Sequence, residues 1–129
     1  MRSPVKKHKS LWLICLVLSM ISGLAMADVS GQITGVRLDP EKGRIVILAK
    51  GNVGKHLARV IGQPNRLVMD FSDTGVSNVP AKIAGGAFDI HEIRVGETKS
   101  RARVVVDFQN RPVPPFTVRR EKGEILVAL

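Results

Sequence analysis

From Ile33 onward, apolar and polar residues alternate in short runs, and glycine, proline or asparagine ends each run before a helical repeat can establish itself. The clearest runs are two copies of Arg-x-Val-x-Asp-Phe, at Arg66–Phe71 and Arg103–Phe108. In extended chain, successive side chains point to opposite sides of a sheet. Leu67, Met69 and Phe71 then share one side, as do Val104, Val106 and Phe108, and both triplets belong in a core. Arg66, Val68 and Asp70 take the other side, matched by Arg103, Val105 and Asp107. The pattern predicts strands with outward Arg-Val-Asp rows.

The same alternation, cut at its turn residues, predicts strands over Ile33–Leu38, Arg44–Lys50, His56–Ile61 and Arg66–Phe71. A connector follows, Ser72–Ala87, holding Gly75, Pro80 and Gly85-Gly86. Strands resume at Phe88–Val95, Arg101–Phe108, Pro115–Arg120 and Glu124–Leu129. Between them lie turns such as Asp39-Pro40-Glu41-Lys42-Gly43 and Glu121-Lys122-Gly123, with proline and glycine where tight turns want them.

Laid over each other, the two halves match. Ile33-x-x-Val36-Arg37-Leu38 aligns with Ile90-x-x-Ile93-Arg94-Val95 at an offset of 57, Ile45–Ile47 with Val104–Val106 at 59, and Leu67–Met69 with Ile125–Val127 at 58. Valine-rich strands resemble one another by chance, but the shared opening and steady spacing favour real internal symmetry. This repeat cuts across the Arg-x-Val-x-Asp-Phe pair, whose copies fall on non-equivalent strands. Either alignment predicts an all-β, pseudo-symmetric antiparallel β-sandwich of two small sheets with apolar inner faces.

Residues 1–27 read differently. Arg2, Lys6, Lys7 and Lys9 precede an apolar run, Leu11–Ile21, and Ala25-Met26-Ala27 supplies a small-x-small cleavage pattern. That is the layout of a cleaved secretory signal peptide. An uncleaved anchor is the competing reading, yet the run falls short of the ~20 apolar residues that span a bilayer comfortably. Cys15 lacks the small residue before it that lipidation needs. Cleavage after Ala27 leaves residues 28–129 as one domain of 102 residues without cysteine, tryptophan or tyrosine. It must therefore hold itself together by packing, without disulfides or thiolate metal sites.

The leader carries four of the 20 Lys and Arg residues and none of the 11 Asp and Glu residues, so the mature domain is about +5. A moderate positive field favours anionic partners such as a polyanion, a membrane surface or the carboxylates of a cell-wall polymer. Nucleic acid fits poorly: there is no basic arm, and Phe71 and Phe108 face the core rather than forming a stacking platform.

Catalysis finds little support. His56 has no Asp, Glu or second His at ligand or triad spacing, and His91 alternates with Ile93 and Val95 toward the core. No His-x-Glu, Glu-x-x-His or Gly-x-Ser-x-Gly motif occurs. The expectation is a non-enzyme without metal or cofactor. Arg37 and Arg94 occupy matched outward positions, and within each Arg-x-Val-x-Asp row the Arg and Asp lie about 13 Å apart along the strand. They cannot bond each other along one strand. Arg66, Asp70, Arg103 and Asp107 must pair across strands, stay solvated, or meet a ligand's carboxylates, hydroxyls and amides.

A leader, then Ile-x-x-Val-Arg, then Pro64-Asn65-Arg66-Leu67-Val68-Met69-Asp70-Phe71, and later Ile90-x-x-Ile93-Arg94 before Arg103–Phe108, resembles the AMIN domain. That family accompanies periplasmic N-acetylmuramoyl-L-alanine amidases and type IV pilus secretins. The resemblance covers Gly31–Leu129 and implies a noncatalytic, periplasmic peptidoglycan-binding module that localises an envelope machine. Its sheet-face motifs are similar to Arg37, Arg66, Asp70, Arg94, Arg103 and Asp107, which become the candidate ligand-binding residues. With no amidase, secretin or further repeat after the domain, the expected roles are an adaptor, a wall-binding subunit or a remnant, with a protein-docking accessory of an envelope complex as the alternative function. The terminal strand Glu124–Leu129 is the expected docking edge.

Overall fold

The computed structural model describes residues 30–129; the expected signal peptide, residues 1–27, lies outside the described residues. Ten strands form in chain order: β1 (Gly31–Asp39), β2 (Arg44–Gly51), β3 (His56–Ile61), β4 (Asn65–Ser72), β5 (Thr74–Val76), β6 (Lys82–Ala84), β7 (Glu92–Thr98), β8 (Arg101–Gln109), β9 (Thr117–Glu121) and β10 (Glu124–Ala128). They make two five-stranded sheets. The first has the order β5-β1-β2-β10-β9 and the second β3-β4-β8-β7-β6. Among the described residues only β1 and β5 pair in parallel; the other neighbours are antiparallel.

The internal repeat is the architecture. Strands β1, β2, β10 and β9 of the first sheet correspond to β7, β8, β4 and β3 of the second. The registers agree residue by residue. Val46 faces Leu126 and Ile45 faces Val127 in one sheet, while Val105 faces Val68 and Val104 faces Met69 in the other. Each half of the sequence donates its first hairpin to one sheet and its second to the other, so the halves interlock around one core.

That core is the set of inward positions expected from the alternation. Ile45, Ile47, Leu67, Met69, Phe71, Val104, Val106, Ile125 and Val127 pack in it with at most 2% exposure, joined by Ile33, Ile93 and Phe108. Each such side chain contributes about 1.5–3 kcal/mol relative to an exposed position. The Ile33-x-x-Val36 spacing, which plain alternation would send to opposite faces, is reconciled by a bulge between Ile33 and Gly35.

Four expectations are corrected. The connector Ser72–Ala87 is not wholly irregular: it supplies β5 and β6, which extend opposite sheets next to the equivalent strands β1 and β7. The strand expected from Phe88 begins at Glu92, because Phe88 and Asp89 turn the chain at φ 56° and 62°. His91 therefore lies before the strand, where the alternation with Ile93 and Val95 does not reach, and it is exposed rather than packed. The terminal strand β10 lies between β2 and β9, so it offers no free edge; the β9–β10 hairpin folds back and leaves β9 outermost.

Candidate functional site

The two Arg-x-Val-x-Asp-Phe copies are neighbours. They form the β4–β8 pair at the centre of the second sheet, in a register that sets Val68 against Val105, Asp70 against Arg103 and Arg66 against Asp107. An Arg-x-Val-x-Asp string is self-complementary in antiparallel pairing, since each arginine meets an aspartate. This explains why the same string occurs on strands that are not equivalent by the internal repeat.

One end realises the pairing fully. Arg103 Nε donates to Asp70 Oδ1 at 2.7 Å and its Nη2 to Oδ2 at 3.2 Å, a two-point clasp, and Arg59 Nη2 from β3 adds a third bond at 3.4 Å. The Asp70 side chain is 7% exposed while that of Arg103 is 49% exposed. Arg103's hydrogen bonds hold Asp70 below the usual carboxylate range despite opposing burial, and they raise Arg103 in turn.

The other end is rewired. Arg94 of β7 donates to Asp107 Oδ2 at 3.0 Å and to Glu92 Oε2 at 2.8 Å, and the Gln109 backbone N–H donates to Asp107 Oδ1 at 2.8 Å. Burial pushes the Asp107 carboxyl up, but the Gln109 N–H and Arg94 outweigh it and the result lies below the usual value. Arg66, opposite Asp107 in register, instead donates from Nε to the Pro64 carbonyl at 3.0 Å.

Five of the six candidate residues therefore share the outer face of the second sheet. Arg37 does not join them. It stands exposed on the outer face of the first sheet, opposite Val46 on β2. The two aspartates accept bonds from within the protein, Asp70 from Arg103 and Arg59 and Asp107 from Arg94 and the Gln109 N–H.

Beside this lattice lie two clefts that share Thr98 and Arg103. One, of 250 Å³, is lined by Asp70, Thr98, Lys99, Arg101 and Arg103. The other, of 330 Å³, adds Ala81, Lys82, Arg94, Val95, Gly96 and Val105. Together they make a groove with basic rims. Gly96 sits opposite Arg103 in the β7–β8 register, and a Cβ there would meet nothing within 4 Å, so the glycine leaves the groove open. The β7–β8 hairpin turns through Lys99 and Ser100 alone, at φ 45° and 63°, the left-handed values a two-residue mirror-image turn requires. That turn puts Lys99 at the lip.

Lys82, Lys99 and Arg101 escaped the sequence reading. Arg101 was legible as the preceding outward position of the Arg103–Val105–Asp107 row. Lys82 and Lys99 were not, because Lys82 falls in the expected connector Ser72–Ala87 and Lys99 in a five-residue turn expected over Gly96–Ser100.

His56 lies elsewhere, against the Phe71 ring at 6.3 Å and beside Arg120, which also donates to the Val53 and Gly54 carbonyls. Burial, and then Arg120, lower its pKa. Among the described residues no group of three or more His, Cys, Asp or Glu side chains is placed to hold a metal ion.

Compared with known families, residues 32–129 match the AMIN domain. No curated protein and no solved structure matches the chain.

Proposed function

The chain belongs to the AMIN domain family, and from that premise we propose that it is a noncatalytic periplasmic module that binds peptidoglycan and positions an envelope complex. The observation that supports this reading best is the basic groove on the second sheet, where Arg103 is held by Asp70 and half exposed. A guanidinium has five N–H donors, and the Asp70 clasp engages only two nitrogens, so the remaining donors are pre-oriented toward solvent. Preorganisation lowers the entropy lost when a ligand is gripped.

Purified sacculi provide the test. The mature protein is expected in the pellet at low salt and increasingly in the supernatant as salt screens the rim charges. Arg101→Ala with Lys99→Ala, neither of which has an ion-pair partner among the described residues, should weaken retention without changing the melting temperature. Protein that stays in the supernatant at low salt would overturn the reading.

A second reading, a protein-docking accessory of a secretin or other envelope complex, is favoured by one feature. Strand β3 is an edge of the second sheet and exposes Leu57 (60%) and Val60 (56%). Crosslinked envelopes digested with lysozyme discriminate: one dominant protein partner that survives digestion supports docking, and its disappearance with the wall supports polymer binding.

A further inference from the structure

Resting on the wall-binding reading, we propose that the groove of the second sheet reads an acidic peptide, so that the polymer's stem peptides and not its glycan strands are the element recognised. Three features carry this. The acidic side chains of that face, Asp70, Glu92 and Asp107, are each bonded to an arginine of the protein. What is left for a ligand is a set of donors and cations: the free N–H groups of Arg103, with Arg101, Lys99 and Lys82. Such a surface asks for acceptors carrying negative charge, which carboxylates supply and sugar hydroxyls do not.

Aromatic platforms are the second point. Phe71 and Phe108 are at most 1% exposed in the core, Phe88 and Phe116 pack partly buried against it, and the domain has no tryptophan or tyrosine, so no aromatic ring lines either cleft of the groove. The third is the floor. Beyond Arg103 it is formed by Ala81, Gly96 and Val105, an apolar strip beside the cross-strand pair Lys82 and Arg94 with room for a methyl-sized side chain. Arg101 and Arg103 are two residues apart on one strand, about 7 Å, so two carboxylates at that spacing can be met together. An acidic peptide with small aliphatic side chains fits both ends.

The experiment compares retention on three solid preparations: intact sacculi, sacculi whose carboxylates have been amidated by carbodiimide and ammonium, and bead-immobilised glycan strands stripped of peptide by an amidase, with the lactyl carboxylates that cleavage exposes amidated as well. Retention is expected to fall about tenfold on the amidated and stripped preparations, the loss of roughly 1.4 kcal/mol of charge-assisted contact. Equal retention on all three overturns the proposal while leaving wall binding intact. Failure to bind even intact sacculi removes the wall-binding reading itself. Inorganic phosphate releasing the protein as well as an equal ionic strength of a dicarboxylate would reduce the groove to a general anion site and also overturn it. Gly96→Leu keeps a strand-compatible residue and fills the groove. It should melt like the parent yet lose about as much retention as amidation causes. A folded Gly96→Leu protein that binds intact sacculi normally would show that the groove is not used.

Discussion

The outer faces of the two sheets are built to one plan and filled with different chemistry. Across the first sheet runs Arg37–Val46–Leu126–Arg119, and across the second Arg94–Val105–Val68–Arg59, each an aliphatic pair flanked by arginines. The rows on either side diverge. Where the second sheet has Arg66, Asp70, Arg103 and Asp107, the equivalent positions of the first hold Glu124, Ala128, Arg44 and Leu48. Arg44 keeps only a hairpin neighbour, Asp39, at 3.2 Å. The second sheet instead carries a lattice of ion pairs spanning β3, β4, β8 and β7. The symmetric backbone decides which positions face out, and three differing side chains, Arg66, Asp70 and Asp107 against Glu124, Ala128 and Leu48, decide which face becomes an ordered cationic array. The cleft on the first sheet's rim includes Glu121 and Glu124 beside Arg120, a mixture ill suited to an anion.

The largest effect that would sharpen this contrast is on stability. Asp70→Ala should cost about 1–3 kcal/mol in urea denaturation, because a buried carboxylate and its charge-assisted bonds are lost together. Asp39→Ala, on the first sheet, should cost under about 1 kcal/mol, as partly exposed pairs do. Equal costs would break the comparison.

Binding comes next. Arg103→Ala should reduce retention on sacculi about tenfold and its counterpart Arg44→Ala less than about twofold, a difference near 1.4 kcal/mol. A matching loss from both would mean that the two faces bind alike.

Acid sensitivity should follow the same asymmetry. Asp70 and Asp107 have folded pKa values below the usual carboxylate range, so the stability they contribute is present above the unfolded value near 3.8 and is lost as pH falls through the depressed ones. Urea midpoints measured from pH 5 downward should fall with acidification, and Asp70→Asn should flatten that fall. An unchanged slope in the variant would separate the lattice from acid stability.

The smallest expected effect is at the groove's lip. Lys99 and Ser100 adopt a turn that asparagine and glycine favour, so the double change to Asn-Gly should raise stability by about 0.4–1 kcal/mol while weakening binding through the lost lysine. A thermal melt and the sedimentation assay read the two effects separately.

Much of the fold was legible because period-two patterning states directly which side chains are buried. Leu67, Met69 and Phe71 were assigned to the core by alternation alone, and they are there. Patterning failed where the backbone left extended geometry. The left-handed turn at Phe88 and Asp89 delays the strand to Glu92 and leaves His91 outside it, and the three-residue strands β5 and β6 are too short to show a period. Among the candidate residues, the face of each was predicted correctly, but their partners were not: alternation gives direction, whereas pairing depends on which strands become neighbours.

The sequence by itself determined an all-β chain with a duplicated strand plan, an inward set and an outward set. Local geometry suffices for that, since each strand's two sides follow from chain direction alone. Only the tertiary structure decided that the two Arg-x-Val-x-Asp strings would lie side by side, that Asp70 and Asp107 would be enclosed by arginines, and that Arg37 would stand on the opposite face. Those outcomes rest on contacts between residues far apart in the chain, such as Asp70 with Arg103, 33 positions away, which short-range patterning cannot encode.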